Sequence, residues 1–163
     1  MITFKSERSA FNYRIVGVAL HEGRVLLHKG ESEDFWTLPG GRAELGEPAT
    51  ETLKREMREE LEVEVEIERL LWVVENFFTY LDRSWHELAL YFLMSLPHDS
   101  ALQKQTSPFY GYEDLQAERM LLIFEWHPLD SLDNITLLPS FLKQGLKALP
   151  DQPKHVVHTD LPI

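Results

Sequence analysis

The segment REMREELEVEVE, residues 55–66, combines six glutamates with two arginines. Glu56, Glu59 and Glu60 stand at positions i, i+3 and i+4, so a helix would place their carboxylates on one face, about 5–6 Å apart. Arg55 and Arg58 lie off that face and are not expected to neutralise all three. Mg²⁺ and Mn²⁺ prefer clustered carboxylate oxygens and take substrate phosphates as further ligands. The spacing indicates a metal site, although a solvated Glu-rich helix would show the same pattern.

The later glutamates of this segment have a different explanation. From Val63 onward the period of the sequence changes to two, with Val63, Val65 and Ile67 alternating with glutamates. Such alternation is typical of a strand with one face in water. The glutamates from Glu62 to Glu68 are therefore predicted to form a solvated strand face with no chemical role.

Composition limits the classes of protein to which the chain can belong. Its 163 residues, 44% hydrophobic, suit one domain over residues 1–163 with a substantial core. The absence of cysteine excludes disulfides and agrees with a cytoplasmic location. The polar N-terminus has no signal-peptide pattern, and the sequence has no apolar run long enough for a membrane helix. The net charge of −11 disfavours nucleic acid as a partner.

The elements predicted around the acidic cluster are strands, one long loop and two helices. Strands at 13–20 and 24–30 flank a turn at Glu22-Gly23, and a Gly/Pro-rich loop follows. ATETLKREMREEL is predicted to be a helix beginning near Pro48. Further strands are expected at 63–68, 70–80, 84–96 and 119–128, with an edge strand at 155–158 and a second helix between Pro139 and Pro150. The irregular order of strands and helices favours a mixed sheet of at least five strands covered by helices.

The residues around the helix also follow a known pattern. Gly41 is followed after five residues by Glu47 and after seven more by Arg55-Glu56-Met57-Arg58-Glu59-Glu60-Leu61-Glu62-Val63. This resembles the Nudix box of the Nudix hydrolases, with Glu62 where the pattern has Gly. That Gly ends the helix, because a left-handed backbone is easy for glycine and costs most other residues about 1 kcal/mol. The departure concerns the local backbone and leaves the carboxylates complete.

The resemblance implies an α/β Nudix fold, an α/β/α sandwich around a mixed sheet, and roles for particular residues. Glu56, Glu59, Glu60 and the carbonyl of Gly40 would hold Mg²⁺ or Mn²⁺. Arg55 and Glu47 would pair and hold the loop in register. The general base would be Glu56 or a glutamate from a later loop, for which Glu113 and Glu118 are candidates, also as further metal ligands.

The function implied is metal-dependent hydrolysis of a small nucleoside diphosphate linked to another group, such as a nucleoside triphosphate or a nucleotide sugar. The alternative is a non-catalytic Nudix-fold module that binds a nucleotide as a regulator. Hydrolysis of RNA caps would need a basic path that a charge of −11 does not supply. The loop Phe109-Tyr110-Gly111-Tyr112 could stack on a base, although packing in the core explains such residues equally well. The sequence leaves the oligomeric state open, a homodimer included.

Overall fold

The computed structural model describes residues 1–115 and 117–160. The strands within these residues are β1 (Thr3–Lys5), β2 (Ser9–His21), β3 (Arg24–Gly30), β4 (Gly40–Arg42), β5 (Glu66–Tyr80), β6 (Arg83–Ser95), β7 (Phe109–Asp114), β8 (Arg119–Pro128) and β9 (Lys154–Thr159). The helices are α1 (Ala49–Leu61) and α2 (Leu142–Gly145), with 3₁₀ turns at Ala101–Lys104 and Leu129–Asn134.

Strand β2 is the centre of a mixed sheet. The described strands follow the order β7-β8-β3-β2-β6-β5-β9, with β1 and β4 also paired to β2. β2 runs parallel to β6 and β9 runs parallel to β5, whereas the other pairs are antiparallel. β2 and β3 share only the register pairs next to their turn. The two strands then separate, and the chain around β4 lies beside β2 instead.

Two hydrophobic clusters cover the two faces of the sheet. One packs α1, through Leu53 and Met57, against Ile15 and Phe124. The other packs α2 and the turn at Leu129–Asn134 against residues such as Val74 and Tyr91. Helical segments therefore cover both faces, as expected for an α/β/α sandwich.

Both tight hairpins form at positions predicted from the sequence. Glu22 and Gly23 have φ values of 49° and 74°, and Leu81 and Asp82 have φ values of 49° and 58°. Positive φ at both central residues matches the right-handed twist of the paired strands. The predicted helix ATETLKREMREEL and the edge strand near the C-terminus are also confirmed.

Four predictions of local structure need correction. Val63 and Val65 are buried as expected, but β5 begins only at Glu66. The second helix contains four residues, because Gly145 weakens it and the hydrogen bonds that open the segment, from Leu142, Lys143 and Gln144, are of the i→i+3 type. The aromatic segment 109–112 belongs to strand β7 and is not a loop. The long loop after β3 contains β4, a strand too short to show periodicity.

Within residues 1–115 and 117–160, no helix has both the length and the apolarity needed to cross a membrane.

Candidate active site

Helix α1 carries the acidic cluster and ends in the backbone conformation that the Nudix box requires. Pro48 precedes it with extended backbone. At its C-terminus Glu62 is left-handed, with φ 55° and ψ 34°, and its N–H donates to the carbonyl of Arg58. The helix therefore ends as a glycine would end it, and Glu62 carries the strain of that conformation.

The carboxylate of Glu56 lies against β4, where no side chain could fit. A Cβ placed on Gly41 would be 2.1 Å from the carboxyl carbon of Glu56. Burial raises the pKa of Glu56, and a hydrogen bond from Arg55 opposes this shift. Glycine at position 41 thus allows β4 and the carboxylate of Glu56 to approach each other. Gly40, whose carbonyl is a predicted metal ligand, is the residue before it in β4.

Arg55 contacts carboxylates on both sides of the loop. Its Nε donates to Glu47 at 2.9 Å, and its Nη1 donates to Glu56 at 2.7 Å and to Glu59 at 3.2 Å. The hydrogen bond from Arg55 lowers the pKa of Glu47. The expectation that Arg55 lies off the glutamate face is therefore wrong, because its long side chain curls back over that face. The expected pairing of Arg55 with Glu47 is present.

Thr52 completes this network, and no motif or spacing in the sequence pointed to it. Its hydroxyl donates to Oε2 of Glu47 at 2.8 Å, and the side chain is fully buried. Nη2 of Arg55 also donates to the carbonyl of Arg42 at 3.3 Å. The loop from Arg42 to Pro48 is thus attached to the first turns of α1.

Glu60 differs from the other two carboxylates of the cluster. It is only 6% exposed, and its Oε2 is buried without a hydrogen-bond partner. Among the residues that the structure describes, no cation forms an ion pair with it. Burial first, and then the charges of Glu56 and Glu113, raise the pKa of Glu60 well above its usual value. A buried carboxylate without a partner is costly unless a ligand compensates it.

Strand β7 brings one of the two candidate loop glutamates towards this cluster. A Cβ on Gly111 would lie 2.3 Å from the carbonyl oxygen of Glu60, so the backbones of β7 and α1 are in close contact there. Glu113 lies two residues further along β7, and its charge raises the pKa of Glu60. Glu118 is exposed in the turn between β7 and β8, where its backbone pairs with Leu115.

The side chains of the acidic cluster, in the positions they occupy, do not form a complete metal site. Within residues 1–115 and 117–160, no three His, Asp or Glu side chains are arranged to hold a metal ion. Two of the helix carboxylates are instead bonded to Arg55. The donor chemistry nevertheless suits a hard cation, since all the donors are oxygens and Glu60 offers an unpaired one.

Two arginines lie beside the carboxylates. Arg14 faces Arg42 across β2 and β4, and Nη2 of Arg14 donates to the carbonyl of Leu38 at 3.1 Å. The charge of Arg14 opposes the rise in the pKa values of both Glu56 and Glu60. Arg24 lies elsewhere and donates to the carbonyls of Gln103 and Gln105. Cations and carboxylates therefore adjoin where β2 and β3 separate.

Comparison with known proteins identifies the family. Residues 12–149 match the NUDIX domain, so the chain belongs to the Nudix family, whose hydrolases act on phosphoanhydride bonds. It is 33% identical over 60 residues to YjhB of Bacillus subtilis (strain 168), which its name assigns provisionally to the ADP-ribose pyrophosphatases. That match covers 37% of this chain and 29% of YjhB.

Two further similarities extend over more of the chain. The low-salt glycan biosynthesis protein Agl8 of Haloferax volcanii is 38% identical over 99 residues, covering 55% of this chain and 64% of Agl8. The chain thus spans less than two thirds of either curated relative. The crystal structure of a UDP-X diphosphatase superposes with a TM-score of 0.59 at 19% identity, covering 93% of this chain and 69% of that one. This likeness supports the fold.

Proposed function

We propose that this protein is a Mg²⁺- or Mn²⁺-dependent pyrophosphohydrolase that cleaves a small nucleoside diphosphate linked to another group. The observation that carries the proposal is Glu60, a buried carboxylate with an unpaired oxygen beside Glu56 and Glu113. Folding alone gives no reason to keep this carboxyl group buried and unpaired, whereas a site for a divalent cation does.

Four groups would hold the ion. These are the carboxylates of Glu56, Glu59 and Glu60 and the carbonyl of Gly40. When bound, a divalent ion neutralises the diphosphate and activates a water molecule for attack on phosphorus. Arg55 would release Glu56 and Glu59 to the ion while retaining Glu47, to which it donates two hydrogen bonds.

Arg14 and Arg42 would bind the phosphate oxygens that remain. Their positions beside the carboxylates explain how a chain with a net charge of −11 could bind an anion. The proton of the attacking water would pass to Glu56 or to Glu113. Glu113 is the better supported of the two later glutamates, because its charge acts on Glu60 while Glu118 lies in an exposed turn.

The proposed substrate class rests on the names of the relatives. An ADP-ribose pyrophosphatase assignment and a UDP-X diphosphatase are both named for nucleoside diphosphates joined to a second group. We propose that residues 1–163 act as one domain on such a substrate, in the cytoplasm, where these nucleotides occur.

A screen for product release tests the proposal. The full chain is incubated with Mg²⁺ and nucleoside triphosphates, nucleotide sugars, ADP-ribose or dinucleoside polyphosphates, and the products are analysed by mass spectrometry. In ¹⁸O-water the label is expected on a phosphate of the product. Glu60→Gln should abolish release, and Glu66→Gln, on the exposed end of β5, is the matched control.

Two results would contradict this function. Label on a sugar carbon would show a different bond cleavage. Tight binding of one nucleotide without any turnover would favour a non-catalytic nucleotide-binding module.

A further inference from the structure

Four polar side chains form a row across four adjacent strands. Asn12 of β2 lies opposite Glu87 of β6, Glu87 lies opposite Asn76 of β5, and Asn76 lies opposite His158 of β9. Residues in register share a face of the sheet. Two positions away on the same strands, Val74 and Val156 pack in the cluster that faces α2. The polar row, defined as Asn12, Glu87, Asn76 and His158, therefore lies on the face opposite α1.

The centre of the polar row is buried and short of hydrogen-bond donors. Asn12, Asn76 and Glu87 are 4%, 5% and 7% exposed. Nδ2 of Asn12 donates to Oε2 of Glu87 at 2.7 Å, which fixes the orientation of that amide. Oδ1 of Asn12 and Oδ1 of Asn76 are both buried without a partner. Native proteins rarely leave buried acceptors unpaired, so two of them beside a carboxylate indicate a missing donor.

The surroundings of the polar row connect it with the proposed phosphate site. Arg14 follows Asn12 by two residues on the same strand and pairs with Arg42 of β4. The guanidinium of Arg42 lies 5.7 Å from the ring of Trp85, which precedes Glu87 by two residues. Asn12, at one end of the polar row, is therefore the neighbour of Arg14 on the same face of β2, and Arg14 and Arg42 are the cations proposed to bind phosphate.

The polar row also adjoins a pair of aromatic rings, one of which is the ring of Trp85 beside Arg42. Trp85 and Phe78 lie opposite each other in β6 and β5, with ring centroids 6.1 Å apart and planes at 3°. Both rings are half-buried, so part of each surface is open to solvent. The exposed face of an aromatic ring can stack on a base or pack against a sugar ring.

We infer that the polar row binds a neutral part of the substrate that presents two adjacent hydrogen-bond donors. Glu87 would repel a phosphate, whereas its carboxylate and the free oxygens of Asn12 and Asn76 accept from O–H or N–H groups. Both a sugar diol and the N–H edge of guanine have this chemistry. The inference deepens the proposed function, since it assigns the group linked to the diphosphate, or its base, to this face.

Equilibrium binding tests the inference without turnover. The probes are methylenediphosphonate and the α,β-methylene analogues of ADP, GDP and ADP-ribose, titrated calorimetrically with the full chain in Mg²⁺. Glu87→Gln should weaken binding of the ADP-ribose analogue or of the GDP analogue by at least about tenfold, because a bond to a charged acceptor is lost. Methylenediphosphonate has neither a sugar nor a base, so its affinity for the variant should stay within about twofold of its affinity for the wild type.

The pattern of losses identifies the source of the donors. A loss confined to the ADP-ribose analogue assigns the polar row to the diol of the second ribose, and one confined to the GDP analogue assigns it to guanine. A loss shared by the three nucleotide analogues assigns it to the diol of the nucleoside ribose. Glu75→Gln is the matched control. Glu75 lies on β5 next to Asn76 but is not a member of the polar row, and its carboxylate contacts His155. It should change none of the affinities.

A second variant separates binding from folding. Asn76→Leu removes an unpaired buried acceptor at similar volume, so the melting temperature of the free protein should stay equal or rise while the same probe binds more weakly. Equal losses for all four probes, or unchanged affinities in both variants, would overturn the inference. Failure of the proposed hydrolysis would appear separately, as absence of turnover of the natural nucleotides by the wild type.

Discussion

Glu60 is the residue at which burial and charge conflict most clearly. Its neighbours Glu56 and Glu59 share Arg55, whereas one oxygen of Glu60 has no partner. Replacing such a group with an amide removes the charge and keeps the shape. The pair of variants at Glu59 and Glu60 therefore measures what the charges do for function.

We expect Glu59→Gln and Glu60→Gln to lower kcat by roughly 100-fold or more with the fold preserved, because each removes a proposed ligand of the ion. Glu64→Gln and Glu66→Gln should leave kcat within about twofold, since both side chains are exposed beyond the cluster. Steady-state kinetics on the best substrate, with circular dichroism to check folding, gives the comparison. Equal losses at all four positions would contradict the division of the segment.

The two later glutamates can be separated in the same way. Glu113→Gln should lower kcat by roughly 100-fold if it accepts the proton of the attacking water, as general bases typically contribute that much. Glu118→Gln should have little effect, because Glu118 lies in the exposed turn after β7. Activity lost at Glu118 and kept at Glu113 would reverse this assignment.

Among the single elements, the C-terminal end of α1 and strand β3 each involve one residue in an unfavourable state, Glu62 after α1 and His28 within β3. Glu62 ends α1 in a left-handed conformation that favours glycine. His28 is buried in β3, and its Nδ1 has no hydrogen-bond partner. Both features predict changes in stability that are independent of catalysis.

Glu62→Gly should raise the free energy of unfolding by about 1 kcal/mol, since glycine adopts the left-handed conformation without steric cost. Glu64→Gly is the control: Glu64 has no positive φ, so glycine there only adds flexibility to the unfolded chain and should destabilise. Urea denaturation of the two variants measures both effects. A loss of stability at position 62 would show that the side chain of Glu62 contributes more than its backbone strain costs.

The free energy of unfolding should decrease as the pH is lowered below 6.5, the ordinary pKa of a histidine. Burial, reinforced by the charge of Arg14, lowers the pKa of His28 from 6.5 to about 3. The unfolded chain therefore binds a proton that the folded chain rejects, and unfolding becomes easier as the pH falls from 6.5 towards 3. The slope from this one group approaches about 1.4 kcal/mol per pH unit.

Urea denaturation at several pH values measures this slope in the wild type and in His28→Gln. The variant should lose the contribution of His28, while His98→Gln, at an exposed histidine, should keep the wild-type slope. Burial also lowers the pKa of His127, which adds to the wild-type slope in the same direction. An identical slope in His28→Gln and wild type would contradict the prediction.

The whole molecule is acidic, and three of its carboxylates, those of Glu56, Glu59 and Glu60, are gathered in the second half of α1. A ligand that binds only the folded state stabilises it by mass action. We therefore expect millimolar Mg²⁺ or Mn²⁺ to raise the melting temperature. At 100 times the dissociation constant the gain is about 2.7 kcal/mol, or roughly 5–10 °C for a domain of this size.

Differential scanning calorimetry with and without Mg²⁺ measures this shift. Glu60→Gln should show a smaller shift, and Glu66→Gln should behave as the wild type. Potassium chloride at matched ionic strength controls for screening. A melting curve unaffected by divalent ions would remove the main support for the metal site.

The sequence by itself determined the elements whose signals are local. The bounds of α1, the two tight hairpins and the acidic cluster all follow from periodicity, turn residues and spacing within about fifteen residues. The same local rules failed for α2, where Gly145 interrupts an apolar stripe that looked long enough for a helix. They also failed for β4, whose strand character depends on pairing with β2, and for β7, whose aromatic residues looked like a loop but pair with β8.

Only the tertiary structure decided how distant residues meet. The reach of Arg55 to Glu47, the isolation of Glu60 and the approach of Glu113 all depend on how a loop and β7 pack on α1. The polar row depends on the register of four strands, and Asn12 and Glu87 are 75 residues apart in the chain. Spacing in sequence fixes which side chains share one helix face, but strand register and burial, which fix the rest, arise from the packing of the whole chain.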